Sequence, residues 1–321
     1  GNTDNEYTQK FGKQQGKYYV PQRAAAGLDP WATPQAYDNA KDFFDTGITW
    51  SNSLNVAQML DKSSYSISLG NTHQDGIISS TGMDRYNVKV SADTKLTNNW
   101  SSGFTANYIT TSIDKAVTSG NGLLRTVYAA PPSYDLAGIP SHVDGNPYTQ
   151  NSFRGSFDNA YWAMENNKFT EDTNRFFGNV YASYQTDFGT TNHKLNAKYM
   201  VGVDAYTTHY VDSYGYGSNT GGGRGQIENY GWTNATYNSL LTINYDWRIN
   251  EDWGLNAVVG NEIIQSNRKK YYEYGTNYNF PGWNHINNAT TQQTEEETWK
   301  NRTVGFFGNV SASYKNMLYL T

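Results

Sequence analysis

The chain has 321 residues, of which 37% are hydrophobic and 15% are aromatic, with 27 tyrosines and 9 tryptophans. This aromatic content argues against disorder, and the absence of cysteine excludes disulfides, thiolate catalysis and cysteine-based metal sites. The net charge of −5 argues against a nucleic-acid partner. No apolar run approaches the roughly 18 residues that a transmembrane helix needs.

Segments in which apolar and polar residues alternate predict about nine β-strands, and a tenth begins near Leu318. Most of them reach about ten residues, which is the length that a tilted strand needs to cross a bilayer. The predicted strands are residues 48–56, 64–73, 87–96, 100–108, 173–185, 193–205, 233–249, 253–265 and 302–314.

The connections between these strands alternate in length. Short turns are predicted at 59–62, 97–99, 187–192, 250–252 and 315–316, and long loops at 74–84, 114–172, 211–229 and 267–300. Short turns at one end and long loops at the other are typical of outer-membrane barrels. A soluble sandwich gives no reason for this alternation, and a propeller would show a repeat of about 40–45 residues. We therefore predict an all-β, antiparallel, up-and-down transmembrane barrel.

The alternation also assigns the two faces of the predicted sheet. Only a closed barrel leaves no unpaired strand edge in hydrocarbon, so the apolar positions are expected to face lipid, while Lys89 and Asp93 face a watery lumen. In the alternative, a soluble sandwich, Val88 would face a core and Lys89 the solvent. The predicted lipid-facing residues are Val88, Val90, Val180, Val201, Leu241, Val259 and Val310.

Two short turns end in tryptophan. The turn "KLTNNW" at 95–100 is echoed by "RINEDW" at 248–253. Trp100 and Trp253 are predicted to lie in an aromatic girdle at the inner membrane interface, where one side of a ring is apolar and the other is wet. The alternative is that both turns are simply good hairpins.

The long loops are rich in aromatic side chains. Flat rings bind the apolar faces of sugars, so these residues are candidate ligand contacts; the alternative is that they pack the loops and an outer aromatic girdle. A short helix at 123–130, ended by Pro131 and Pro132, is also predicted. The candidate contacts are Tyr161, Trp162, Tyr214, Tyr216, Arg224, Tyr271, Tyr272, Tyr274, Tyr278 and Trp283.

Catalytic patterns are absent from the sequence. The 5 histidines lack the spacing of a metal site, and no G-x-S-x-G motif occurs. We expect no catalytic residues, no cofactor and no metal.

Several segments resemble the barrel of the SusC/RagA family of TonB-dependent outer-membrane transporters of Bacteroidetes. They are "YDNAKDFFDTGITWSNSLNV" (37–56), "DKSSYSISLGNTHQDGII" (61–78), "RYNVKVSADTKLTNNW" (85–100), "LLRTVYAAPPSYDLAG" (123–138), "NAYWAMENNKFTEDTNRFFGNVYASY" (159–184) and "NRTVGFFGNVSASYKNMLYLT" (301–321). The resemblance covers nearly the whole chain in the expected order.

The resemblance implies a plug domain inside a barrel of about 22 strands, a SusD-like surface lipoprotein as lid, and energy from TonB-ExbB-ExbD. It also makes the candidate ligand contacts of the loops candidate contacts to this lid. It further implies location in the bacterial outer membrane, with lipid around the barrel. Residues 1–321 are expected to be part of one barrel domain, cut from a longer polypeptide, without the plug, the TonB box or the C-terminal strands. The expected activity is import of an oligosaccharide, with a peptide as second choice. A soluble carbohydrate-binding or carbohydrate-active β-protein and a passive diffusion porin are the alternatives.

Overall fold

The computed structural model describes residue 14 and residues 16–117, 122–315 and 317–321. The sequence of residues 1–10 predicts a loop, and these residues, like Asn316 of the last predicted turn, lie outside the described ranges. The strands are β1 (Tyr18–Tyr19), β2 (Trp31–Ala32), β3 (Thr49–Met59), β4 (Ser63–Asp75), β5 (Gly82–Lys95), β6 (Trp100–Lys115), β7 (His142–Val143), β8 (Asn146–Gln150), β9 (Lys168–Thr186), β10 (His193–Tyr214), β11 (Gln226–Arg248), β12 (Trp253–Tyr278), β13 (Ala289–Tyr314) and β14 (Leu318–Leu320). The helices are α1 (Pro21–Ala25), α2 (Asn39–Phe43), α3 (Leu123–Ala129) and α4 (Ala160–Asn166), and short 3-10 turns lie at Thr220–Gly223 and Ile286–Asn288. None of the described helices has the length and apolar character needed to cross a membrane.

Ten of the described strands form one sheet in the order β14-β13-β12-β11-β10-β9-β6-β5-β4-β3. All neighbours are antiparallel, and β9 pairs with β6 across the long connection at 116–167. The predicted all-β, up-and-down arrangement is confirmed, including the tenth strand near Leu318.

The two turns that end in tryptophan are closed by the same hydrogen bond. The Trp100 N–H donates to Thr97 Oγ1 at 3.0 Å, and the Trp253 N–H donates to Asn250 Oδ1 at 2.8 Å. Thr and Asn favour such turns because their side-chain oxygen accepts from a backbone amide a few residues on. The echo between the two turn sequences therefore corresponds to one shared turn geometry.

The register places all predicted lipid-facing residues on one face of the sheet, which we call the apolar face. Directly paired residues share a face, and Val180 pairs with both Phe104 and Val201. Val88, Val180 and Val310 are exposed by 41%, 52% and 59%, whereas a soluble sandwich would bury them. The residues brought together on this face are Val88, Val90, Val180, Val201, Leu241, Val259 and Val310.

The opposite face, which we call the polar face, is concave. A cavity of about 800 Å³ lies against it and contacts six strands, β5, β6 and β9 to β12. The sheet therefore curls around its polar side chains, as the wall of a water-filled barrel would. The cavity lining includes Lys89, Asn107, Asn179, Asp204 and Asn238.

The strands of the large sheet are longer than the sequence predicts, most of all β12 and β13. The predicted loops at 211–229 and 267–300 are wrong in extent, because β10 runs on to Tyr214, β11 begins at Gln226, β12 runs on to Tyr278 and β13 begins at Ala289. In these outer parts of the strands, polar residues and tyrosines predominate on both faces. The alternation that marks a strand is therefore lost from the sequence, although backbone pairing continues.

A packed loop layer covers the end of the sheet opposite the short turns. We use this name for the described residues of 16–48, 76–81, 116–167, 215–225 and 279–288. Its core brings together Phe43, Ile78, Leu136 and Trp162, all less than 9% exposed. The predicted helix at 123–130 is confirmed as α3, which ends before Pro131.

Candidate functional site

The buried carboxylate of Asp158 links separate parts of the loop layer. It accepts hydrogen bonds from Ser218 Oγ at 2.6 Å, from the Asn219 backbone N–H at 2.7 Å, and from the side-chain amides of Asn219 and Gln150, both at 2.8 Å. Asp158 is only 8% exposed, so these donors replace water around a charged group. They fix the segment 215–225 against the N-terminus of α4.

Two of the candidate contacts, Tyr161 and Trp162, lie in α4. Trp162 is fully buried, and its indole N–H donates to the Pro147 carbonyl oxygen at 2.9 Å. Tyr161 is half-buried, with its ring edge-on to Phe43 at 5.3 Å and its hydroxyl donating to the Asp42 carbonyl oxygen. Burial, and then the nearby Asp42 carboxylate, raise the pKa of Tyr161. Trp162 is thus placed inside the loop layer, and Tyr161 at its margin.

Burial also sets the ionisation of a tyrosine in the core of the loop layer. Tyr134 is 7% exposed, and its hydroxyl has no hydrogen-bond partner among the described residues. Desolvation, and then the Asp135 carboxylate, raise its pKa. Because the folded-state pKa is the higher one, this neutral phenol favours the folded layer below about pH 10, and the contribution is lost as the pH rises further.

The segment 215–225 depends on a glycine where it crosses α4. Gly217 has a φ of 101°, and a Cβ there would overlap the Tyr148 carbonyl oxygen and press on the Trp162 ring. Only glycine both adopts this positive φ without strain and has no Cβ to clash. Tyr216 packs beside the buried cluster formed around Tyr278, whereas Arg224 is exposed.

Tyr278 and Trp283 have opposite environments in the last loop. Tyr278 is fully buried, packed with Ile227. Trp283 is 44% exposed, but its ring stacks on Phe280 at 5.9 Å and on His285 at 4.9 Å. Tyr278 and Trp162 therefore have no surface that a ligand could contact. The Trp283 ring is stacked on its neighbours, so mainly its edges are accessible.

An aromatic wall lies on the polar face, next to the loop layer. We use this name for Tyr210, Tyr230, Trp232 and Tyr272, which β10, β11 and β12 place side by side. The rings of Tyr210 and Tyr230 stack at 4.7 Å with an interplanar angle of 7°, and Trp232 meets both rings edge-on. Tyr272 lies 6.5 Å from Tyr230. The wall therefore presents a continuous aromatic surface to the lumen side of the sheet.

Charged groups surround the aromatic wall. Lys115 Nζ lies 4.6 Å from the Tyr210 ring centre and 3.4 Å from a carboxylate oxygen of Glu171. The Tyr230 hydroxyl donates to Asp212 Oδ2 at 3.1 Å. Arg268 lies 5.4 Å from the Trp232 ring, whose buried indole N–H has no acceptor among the described residues. Aromatic faces, carboxylates and cations thus meet on one surface, which suits a ligand with both apolar and charged groups.

The tyrosines of β12 that were predicted as ligand contacts lie on opposite faces of the sheet. Tyr272 and Tyr274 pair with Tyr230 and Glu228 and lie on the polar face. Tyr271 lies on the face opposite to them, where its hydroxyl is 2.6 Å from His209 Nδ1. Tyr214, also on the polar face, meets Phe169 edge-on at 5.2 Å. Tyr272, Tyr274 and Tyr214 are thus the predicted contacts that face the lumen side.

Sequence analysis missed most of the aromatic wall. Tyr210 precedes the predicted loop at 211–229, and Tyr230 and Trp232 follow it, so all three residues lie outside the predicted strands. The signal that could have found them is parity. In β10 and β11 these three residues have the same parity as Asp204 and Asn238. They therefore lie on the polar face, where an aromatic ring is unexpected.

The tryptophans of the short turns lie on the apolar face. Trp100 packs on Tyr184 at 5.0 Å and Trp253 on Tyr314 at 4.8 Å, each across a strand pair. Both are nearly half exposed, at 47% and 46%. Their contact with a membrane interface stays a prediction.

Within the described ranges, no group of His, Asp and Glu side chains is arranged to hold a metal ion.

Long antiparallel strands, an exposed apolar face, a concave polar face and a loop layer at one end define a wall segment of an outer-membrane β-barrel. No family model matches the chain, and no curated protein matches it in sequence. Solved structures share its fold. They include the RagAB peptide importer in the closed-closed state (TM-score 0.71, 15% identity, covering 89% of this chain and 32% of that chain) and in the open-open state (TM-score 0.71, 14% identity, 99% and 36%).

The chain thus spans about a third of the length of the RagAB chains that it matches. The resemblance to the SusC/RagA family is confirmed at the level of the fold. The outer-membrane location expected from the sequence agrees with this fold.

Proposed function

We propose that the chain forms part of the barrel wall of a TonB-dependent importer of the outer membrane. The observation that carries the proposal is the two-faced sheet, whose exposed apolar face suits lipid and whose concave polar face suits a hydrated conduit. Transport of this kind involves no covalent chemistry by the barrel. The chain is one part of a single barrel domain, with the plug domain, the TonB box and further strands supplied by flanking sequence.

A short peptide is the substrate that the aromatic wall favours. Mutual stacking at 4.7 Å covers one face of the Tyr210 ring and one face of the Tyr230 ring, and the charged groups of Lys115 and Asp212 lie beside these rings. Sugars need open ring faces, whereas peptides offer charged termini and side chains. The similarity to a peptide importer points the same way. A peptide therefore replaces the oligosaccharide as our first choice, and the oligosaccharide is kept as the second candidate.

The partners follow from the same proposal. A SusD-like lipoprotein would close over the loop layer, where exposed aromatic side chains such as Trp283 are available to it. TonB-ExbB-ExbD would supply energy through the plug. Substrate would then be held by many weak contacts and released when the plug is pulled.

Dependence of uptake on TonB separates this proposal from a diffusion porin. Uptake of a fluorescent peptide mixture by cells that carry the full-length protein is expected to fall to background when TonB is deleted. A porin would conduct down the concentration gradient and would keep its uptake. Unchanged uptake without TonB would reject the import proposal.

Replacement of Tyr272 by alanine is expected to weaken peptide binding about tenfold, or about 1.4 kcal/mol, because one aromatic contact of the lumen surface is lost. The matched control is Tyr271→Ala, which removes the same side chain from the other face. Isothermal titration of the purified protein with the peptide mixture measures both. Equal losses in the two variants would mean that the aromatic wall is not the binding surface.

A further inference from the structure

Charge changes sign along the aromatic wall. We call directly paired residues on one face of the sheet a row. The first row beyond the wall towards the loop layer carries the carboxylates of Asp212 and Glu228. The first row on the opposite side of the wall carries the guanidinium of Arg268, while Lys270 and Glu297 lie opposite each other between these rows and balance. The wall thus has an acidic edge at Asp212 and Glu228 and a basic edge at Arg268.

The acidic edge is a pair of like charges. Asp212 and Glu228 are paired directly across β10 and β11, where two like charges destabilise a sheet. Both strands have a paired neighbour on each side, and neither carboxylate forms a salt bridge with a described residue. The ammonium of Lys115, on the same face, contacts Glu171 instead, at 3.4 Å. A cation bound between Asp212 and Glu228 would relieve their repulsion.

Arg268 is held at the basic edge with its charge available. Its guanidinium lies 5.4 Å from the Trp232 ring, and its row neighbours are Asn234 and Trp299. Because β12 is paired on both sides along this stretch, the positions directly beside Arg268 are occupied, and they carry no carboxylate. Arg268 is exposed and forms no salt bridge with a described residue. An anion on the lumen side of the sheet can therefore reach it.

The two edges are spaced for a short extended peptide. On β11 the rows of the two edges contain Glu228 and Asn234, which are six residues, or about 20 Å, apart. An extended peptide advances by about 3.3–3.6 Å per residue, so about six residues cover this distance. The rings of the aromatic wall lie between the two edges, where they would contact the middle of such a peptide.

We propose that the aromatic wall binds a peptide along the strands, with its amino-terminal ammonium at Asp212 and Glu228 and its carboxyl-terminal carboxylate at Arg268. Carboxylates beside tyrosine rings suit an ammonium group, and a guanidinium offers parallel donors that match a carboxylate. The long loops lie beyond the acidic edge, so the carboxyl terminus enters the barrel first if the chain is oriented as proposed above. This inference rests on the proposed peptide import, to which it adds a direction and a need for both free termini.

Blocking the termini of one hexapeptide tests the site. Isothermal titration of the purified full-length protein would use an uncharged hexapeptide of alanine, serine and phenylalanine, its N-acetylated form and its C-amidated form. Each blocking group is expected to weaken binding to the wild type about tenfold. In Asp212→Asn/Glu228→Gln, acetylation is expected to have no further effect while amidation keeps its cost. In Arg268→Gln the two effects are expected to be exchanged.

Matched controls lie on the other face of β12. Glu273→Gln and Lys269→Gln each remove one charge at about the level of the acidic edge and of the basic edge. Both variants are expected to keep the wild-type dependence on the two termini. The acidic-edge variant removes a like-charge pair, so it is expected to fold at least as stably as the wild type.

Loss of the coupling would overturn the proposal: an equal cost of acetylation in the wild type and the acidic-edge variant, or an equal cost of amidation in the wild type and Arg268→Gln. Photo-crosslinking checks the direction. Benzoylphenylalanine as the first residue of the hexapeptide is expected to label 210–214 and 226–230, and as the last residue 232–236 and 266–270. Reversed labelling would also overturn the proposal. If the wild type binds no form of the hexapeptide, the proposed peptide binding itself fails; if it binds all forms equally, only this inference fails.

Discussion

Arginine in place of Val180 is expected to destabilise the barrel by about 2–4 kcal/mol, the cost of a basic side chain at the bilayer midplane. Val180 lies midway along the apolar part of β9, between the rings of Tyr184 at the turn end and Phe176 at the rim. Its row neighbours are Phe104 and Val201, so the positions directly beside it offer no polar group to the added charge. Equilibrium unfolding in lipid vesicles, followed by tryptophan fluorescence, measures the loss.

The neighbouring residue supplies the control for this experiment. Asn179 lines the concave polar face, and Asn179→Arg is expected to change the free energy of unfolding by about 0.5 kcal/mol or less. A reversed order of the two effects would mean that the faces are assigned the wrong way round. Small effects in both variants would mean that neither face contacts lipid.

Truncation of Asp158 to alanine is expected to release the segment 215–225 from the loop layer while the sheet stays folded. The change leaves four donated hydrogen bonds without an acceptor, one of them from the buried Ser218 hydroxyl. Bonds to a charged group contribute about 1.5–3 kcal/mol each and are not additive. A local loss of about 3 kcal/mol speeds amide exchange by roughly 100-fold. Hydrogen exchange with mass spectrometry, read on peptides covering 215–225 and 147–163, measures this release.

The conservative variant Asp158→Asn tests whether the acceptor geometry or the charge matters. Its remaining oxygen can still accept from Asn219, so a smaller increase in exchange is expected. Peptides from β10 and β11 should keep wild-type exchange in both variants. Uniform acceleration across those strands would contradict a local role for Asp158 and would show that the loop layer supports the whole sheet.

The fold could be predicted from the sequence wherever one face is apolar. Period-2 alternation is a local property, so Val88 and Val90 already define the face of β5 without knowledge of its neighbours. The strand ends could not be predicted, because polar residues and tyrosines occupy both faces beyond the apolar part, as with Tyr271 and Tyr272. At the strand ends, backbone pairing continues in the register that the apolar part of each strand pair establishes.

The candidate site depended on contacts that no local pattern contains. Asp158 lies 60 residues before Ser218, and no sequence pattern near either residue indicates that the two are in contact. Tyr210 and Tyr230 meet because strand register aligns them. Aromatic content alone therefore marked Trp162 and Tyr278 as candidate contacts, although long-range packing buries both.

The loop layer also bears on the order in which the protein assembles. Its contacts join distant parts of the chain: the Asn151 side chain donates to the Gln22 carbonyl oxygen across 129 residues, and the Gln22 side chain donates to the Phe153 carbonyl oxygen across 131. Contacts at such separation form slowly, since the intervening chain must first be organised. We therefore expect the strands to pair before the loop layer closes over them, and resistance of the loop layer to protease would report that assembly is complete.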